Sequence, residues 1–159
     1  MLEFCSLYSG SSGNSLLVKS NNTNILIDAG VSAKKITEAL TPLNVNPENI
    51  SAILVTHEHS DHIQGLGTFS KKFNIPVFAT KKTWDSMSKQ QEKITPNNQK
   101  FFTIAENFEI GDLKIESFKT PHDATDSCGF NIINNKTKIS IATDLGHITT
   151  KVHDAISRK

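Results

Sequence analysis

The chain has 159 residues, 36% of them hydrophobic and 21% charged, enough for one domain with a real core. No apolar run approaches the roughly 18–20 residues of a membrane-spanning helix, so a membrane protein is excluded. Seventeen Lys and Arg against sixteen Asp and Glu give a net charge of +1, which by itself neither argues for a nucleic-acid partner nor excludes a local basic surface.

The amino terminus, Met1-Leu2-Glu3-Phe4-Cys5, lacks the basic lead-in, apolar core and cleavage site of a secretory signal, and the expected compartment is the cytoplasm. Cys5 and Cys128 are then expected as free thiols. Leu2–Tyr8, Ser15–Ser20 and Asn24–Asp28 read as strands of a meander, the first two joined by the small-residue stretch Ser9-Gly10-Ser11-Ser12-Gly13-Asn14. Ser32 caps a helix to about Leu43, with Ile36, Ala39, Leu40 and Leu43 on one face, and Asn46-Pro47 ends that unit. The apolar run Ile50–Val55 suits a strand buried on both faces. A helix over Leu66–Phe73, a strand at Val77–Ala79 and a helix over Thr83–Lys89 follow, with Trp84 packed on the sheet. Beyond it the pattern is strand-rich: Lys100–Ile104, Phe108–Ile110, Leu113–Lys119, Gly129–Ile133 and Lys138–Thr143, with turn signals at Gly111-Asp112 and Asn134-Asn135.

The chemistry is concentrated directly after the buried strand, in Thr56-His57-Glu58-His59-Ser60-Asp61-His62, which holds three of the chain's six histidines. Three imidazoles and a carboxylate at this density form a metal-ligand set, and a loop leaving the carboxyl end of a strand can turn several of them toward one point.

This motif resembles that of the metallo-β-lactamase-fold hydrolases, and the resemblance runs along the chain. Asp28 stands at the family's first Asp in Ile25-Leu26-Ile27-Asp28-Ala29-Gly30, His122 follows a strand in Thr120-Pro121-His122-Asp123, and Asp144 ends one in Ala142-Thr143-Asp144-Leu145-Gly146-His147. More narrowly, Ser9–Ser15 with His122-Asp123-Ala124 and Thr143–His147 is similar to the bacterial YycJ/WalJ/VicX group, cytoplasmic proteins regarded as DNA exonucleases.

The resemblance implies an α/β (α+β) fold, the αβ/βα sandwich of that family, and a dinuclear site. His57, His59 and His122 hold the first metal, Asp61 and His62 the second, and Asp144 bridges them. Two divalent ions sharing a water lower its pKa and neutralise charge on a scissile phosphodiester; Asp61 orients the resulting hydroxide and is the catalytic residue. Zinc is the first choice of metal and manganese the second. Asp28 is a supporting residue that hydrogen-bonds the motif loop, and Glu58 is a carboxylate outside the ligand set. Ser11, Ser12 and Asn14, in a loop rich in N–H groups and hydroxyls, are candidate substrate contacts, as is His147.

One family feature has no match. The fifth-motif histidine, the second metal's remaining imidazole, is absent from the 159 residues, so the expectation is a single domain over residues 1–159 whose carboxyl-terminal part is missing and whose second metal binds more weakly. His147 either substitutes for that ligand, donates a proton to the leaving group, or is an ordinary polar residue at a helix entrance. Three functions follow: a phosphodiesterase acting on DNA as an exonuclease; a thioester or lactone hydrolase of the glyoxalase-II-like type; or an inactive metal-binding fragment completed by a second chain or by self-association. The pairs Lys34-Lys35, Lys71-Lys72 and Lys81-Lys82 read as solvated helix faces.

Overall fold

The structure, a computed structural model, describes residues 2–121, 126–144 and 147–154, with the backbone path alone for 143–144 and 147–154. Strands β1 (Glu3–Tyr8), β2 (Ser15–Lys19) and β3 (Asn24–Ile27) form the antiparallel meander. β4 (Ile50–Leu54), β5 (Val77–Ala79) and β6 (Gln99–Phe101) then add in parallel, completing a six-stranded sheet in chain order. Parallel neighbours need crossovers, and each is helical. α1 (Ala33–Leu40) joins β3 to β4, α2 (Ser60–Ile63) and α3 (Leu66–Phe73) join β4 to β5, and α4 (Lys81–Ser86) and α5 (Ser88–Gln91) join β5 to β6.

A second sheet is antiparallel throughout, in the order β11-β10-β9-β8-β7. Its members are β7 (Asn107–Ile110), β8 (Leu113–Lys119), β9 (Cys128–Asn134), β10 (Thr137–Asp144) and β11 (His147–Asp154). The first sheet lies between the helices and this second sheet, and its strands alternate accordingly. Leu17, Leu26, Ile53 and Val55 pack with Ile36, Leu40, Phe69 and Trp84 of the helices. Leu16, Ile25, Ile27 and Leu54 face Ile115, Phe130, Ile132, Ile139 and Ile141 of the other sheet. Both faces of β4 are therefore dry from Ala52 onward, which is why Ala52–Val55 is an unbroken apolar run, while Ser51 near its start is exposed.

The α1 helix ends at Leu40 rather than Leu43 and the strand expected over Lys100–Ile104 is Gln99–Phe101; two further elements differ more. The helix expected over Thr83–Lys89 starts earlier and breaks in two. Thr80 caps it by accepting the Thr83 N–H, and Met87, almost wholly buried, takes a non-helical φ of −128° and ψ of 48°. Beyond Gly146, where a helix entrance was the expectation for His147, the chain is a strand. β11 pairs along all of β10, from Asp144↔His147 to Thr137↔Asp154, in keeping with the β-branched run Ile148-Thr149-Thr150 and Val152.

Trp84 is fully buried, its Nε1–H donating to the Lys100 carbonyl at 2.9 Å and its ring tilted against Phe101. This is packing on the sheet, as expected. Trp84→Ala should lower unfolding free energy by about 3–5 kcal/mol, read from the urea midpoint; a change below about 1 kcal/mol would mean the α4 layer is dispensable.

Candidate metal centre

The parallel register of β3 on β4 builds the site. Ile27 pairs with Leu54, so the residues leaving the two strands, Asp28 and Val55-Thr56, emerge side by side at one sheet edge, where open parallel sheets place their ligands. The Asp28 N–H donates to the Leu54 carbonyl at 2.8 Å. Asp28 itself turns into the left-handed region at φ 64°, a conformation Asp tolerates better than most residues.

Backbone hydrogen bonds then tie three loops together. The Ala29 N–H donates to the His62 carbonyl, the Gly65 N–H to Ala29, the Gly30 N–H to Asn14, and the Asn14 N–H to the Asp61 carbonyl, at 2.8–2.9 Å. Gly30 permits this approach. A Cβ there would collide with the Asp61 carbonyl and lie 2.7 Å from the Asn14 nitrogen, backbone that cannot step aside. Gly30→Ala is expected to cost about 3 kcal/mol, the upper end for an overpacked site, and equilibrium unfolding at unchanged midpoint would contradict that.

Within this frame one carboxylate organises two imidazoles. Asp28 is fully buried; its Oδ1 accepts the Thr56 N–H at 2.8 Å, and its Oδ2 accepts both the Thr56 hydroxyl and His62 Nδ1–H at 2.6 Å. Having given its proton to Asp28, the Thr56 hydroxyl can only accept from His57 Nδ1, 2.9 Å away. Both His57 and His62 are thereby held with the proton on Nδ1 and the lone pair on Nε2. Burial opposes a charged His62, the Asp28 carboxylate and its hydrogen bond favour it, and the balance raises the imidazole's pKa above its ordinary value.

The rings converge. His57 lies 4.1 Å from His62 and 4.8 Å from His59 between centroids, and Asp61 Oδ2 is 3.7 Å from His62 Nε2. Imidazole nitrogens whose second nitrogen is fixed by an oxygen acceptor, together with a carboxylate, are the donor set of a divalent cation, and these residues fit one. Among the described residues no three His, Cys, Asp or Glu side chains already stand in ligating geometry. Of the expected ligands, His122 lies outside the described residues, and Asp144 is described by its backbone alone.

The segments flanking His122 are anchored against the motif loop: the Cys128 N–H donates to the Thr56 carbonyl at 3.0 Å, and the hydroxyls of Thr120 and Ser127 meet at 2.6 Å. Cys128 is buried at the start of β9, where burial pushes its thiol well above the ordinary pKa. That opposes the thiolate a metal would need.

Asn14 requires a correction. It was expected to touch substrate, but its side chain is fully buried, the amide donating to the Gly10 carbonyl at 2.9 Å and the Asp61 carbonyl at 3.2 Å, with Asp61 Oδ2 and His62 Nε2 each 3.3 Å away. It positions the motif loop instead. Ser11 and Ser12 are exposed at the tip of the same loop, and His147 opens β11 with only its backbone described. Thr56, which sequence reasoning passed over, proves to link Asp28 to His57; its place directly before the motif was the available signal.

Comparisons with known proteins agree with this arrangement. Residues 8–152 match the Metallo-beta-lactamase superfamily. The chain is 42% identical over 159 residues to the exodeoxyribonuclease YycJ of Bacillus anthracis, covering 98% of this chain and 59% of that protein. It is 38% identical over 148 residues to the exodeoxyribonuclease WalJ of Streptococcus pneumoniae serotype 2, covering 92% of this chain and 55% of that one. The chain thus spans little more than half the length of these curated relatives. Among solved structures, a metallo-β-lactamase of Cronobacter sakazakii superposes with a TM-score of 0.71 at 18% identity, over 88% of this chain and 61% of that chain, a likeness of fold alone. With the match running through both sheets and taking in the loop of paired histidines, the chain belongs to the metallo-β-lactamase superfamily.

Proposed function

We propose that this chain carries the metal-binding part of a phosphodiesterase that degrades DNA as an exonuclease in the cytoplasm, within a single metallo-β-lactamase domain. The observation that supports this most is the 42% identity, over nearly the whole chain, to a protein named an exodeoxyribonuclease. In this reading His57, His59 and His122 would hold one ion and Asp61 and His62 a second, with Asp144 a ligand they would share. Zinc is preferred by the imidazole-rich set, with manganese next. Bound ions supply Lewis acidity toward the phosphodiester and acidify water.

The chain's own residues do the rest. Asp28 fixes the tautomers of His62 directly and of His57 through Thr56. Asn14 pins the loop that carries Asp61. Asp61, its side chain 24% exposed, receives the proton of the attacking water, while Ser11 and Ser12 at the exposed loop tip contact phosphate. Thioester hydrolysis would use the same motif, but the similarity to the two exodeoxyribonucleases extends across both sheets rather than the motif alone.

The test is elemental analysis of the size-fractionated chain, followed by assays on end-labelled DNA and on a glutathione thioester. One tightly held ion and a second held more weakly, with release of mononucleotides from DNA, is the expected result. Thioester turnover without DNA degradation would replace the nuclease reading, and activity confined to a self-associated or mixed species would mean that a second chain completes the site.

A further inference from the structure

Two clefts border the segment that runs from the end of α4 through α5 to Lys93. The first, about 420 Å³, is lined by Glu58 and Ser60 of the motif loop together with Gln64, Met87, Ser88 and Lys89. Its Glu58 and Ser60 are the sequence neighbours of the expected ligands His57, His59 and Asp61, which do not themselves line it. The second, about 510 Å³, is lined by Thr68, Lys71, Lys72 and Lys93 and by no acidic residue. The contact between α3 and α5 separates the two: the Gly67 N–H donates to Gln90 Oε1 at 2.8 Å, and the Lys93 stem packs over Gly67.

The second cleft thus gathers three lysines from two segments of the chain, Lys71 and Lys72 at the end of α3 and Lys93 beyond α5. All three are exposed, as is Lys89. Among the described residues none of the four has a carboxylate within ion-pair distance, whereas Lys81 is paired with Asp85, Lys119 with Asp126, and Lys114 and Lys138 with Glu116. In a chain of net charge +1, this is a local excess of positive charge that starts beside the motif loop and leads away from it.

We infer that Lys89, Lys93, Lys71 and Lys72 form a track for the phosphates of a single DNA strand running from the metal centre. This rests on the nuclease reading and extends it from the reacting bond to the strand. Ammonium groups are compact point charges that neutralise phosphates without reading bases. Phe73, beside Lys72, packs on Phe69 with Lys72 Nζ 5.4 Å from its ring centre, and among the described residues no aromatic side chain lines either cleft. The track therefore binds DNA independently of base sequence.

The test is fluorescence anisotropy with a labelled oligodeoxythymidylate of roughly 12 nucleotides carrying phosphorothioate linkages, a length suited to one single-strand site, titrated with zinc-loaded protein between about 50 and 200 mM salt. The variant K71E/K72E/K93E should bind more than tenfold more weakly. Its dependence of log K on log salt should be shallower by about 2, at about 0.7 per phosphate contact on a single strand. K34E/K35E, which alters exposed lysines of α1 that line neither cleft, should bind as the unaltered chain does. If the triple variant keeps both affinity and salt slope, the track is overturned and the nuclease reading stands. If the unaltered chain binds no oligonucleotide, the DNA reading fails and the track fails with it.

Discussion

Asp28→Asn is expected to leave the chain folded and to lower metal affinity at the proposed site by about 10- to 100-fold, the range for partners that orient metal ligands. The carboxylate accepts three hydrogen bonds in a fully buried site. Alanine would leave the Thr56 N–H and His62 without acceptors and strain a non-glycine residue at φ 64°, so Asp28→Ala is expected to cost about 3–5 kcal/mol, as breaking a buried charged contact does.

Asparagine separates the two roles. It fills the same volume, tolerates the left-handed backbone and can still accept from the Thr56 N–H, but it turns an NH2 group toward the oxygen and nitrogen that Asp28 Oδ2 now serves. His62 can meet that donor only by moving its own proton from Nδ1 to Nε2, which removes the lone pair a metal needs. Elemental analysis and the ring-nitrogen shifts of 15N-labelled histidine report both effects. A variant that loads as much metal as the unaltered chain, with the Nδ1–H tautomer intact, would remove Asp28 from the positioning of the site.

How far the sequence anticipates this depends on the range over which each feature is determined. The His57–His62 motif is legible because ligand density and the apolar strand before it are both local, whereas the registers of β2 and β3, whose Leu16-Leu17-Val18 and Ile25-Leu26-Ile27 are buried on both faces, carry no alternation to read. Asp28 is legible, through the family resemblance, as a residue that hydrogen-bonds the motif loop, but which three bonds it makes depends on the pairing of Ile27 with Leu54, a contact between strands separated by a helix. Asn14 was misread for a similar reason. Its loop is polar and rich in glycine, which suggests exposure, yet Gly30 allows that backbone to close on Asp61 and seals the side chain inside. The lysines show the same limit from the other side: Lys71-Lys72 is a routine helix-face pair until α5 brings Lys93 into the same cleft. Local pattern names the elements and the reactive loop, whereas the environment of each side chain is set by tertiary approach.

Asp61→Ala should reduce hydrolysis by about 10²–10⁴-fold, the contribution of a positioned proton-accepting group, while the ion proposed for His57, His59 and His122 should still load. Its placement supports that division. The carbonyl of residue 61 is held by the Asn14 N–H at 2.8 Å, so the loop keeps its path when the side chain is removed. The carboxylate is the partly exposed member of the cluster, at 24%, while the neighbouring His62 is fully buried. A partly open carboxylate 3.7 Å from His62 Nε2 can meet an incoming water or phosphodiester, which the sealed Asp28 cannot. Asn14→Ala should act in the same direction more weakly, because it loosens Asp61 without removing it. The comparison needs metal content and turnover measured on the same samples. Loss of turnover with about one ion retained supports the role, whereas full turnover in Asp61→Ala would assign the proton to another group and leave Asp61 a ligand at most.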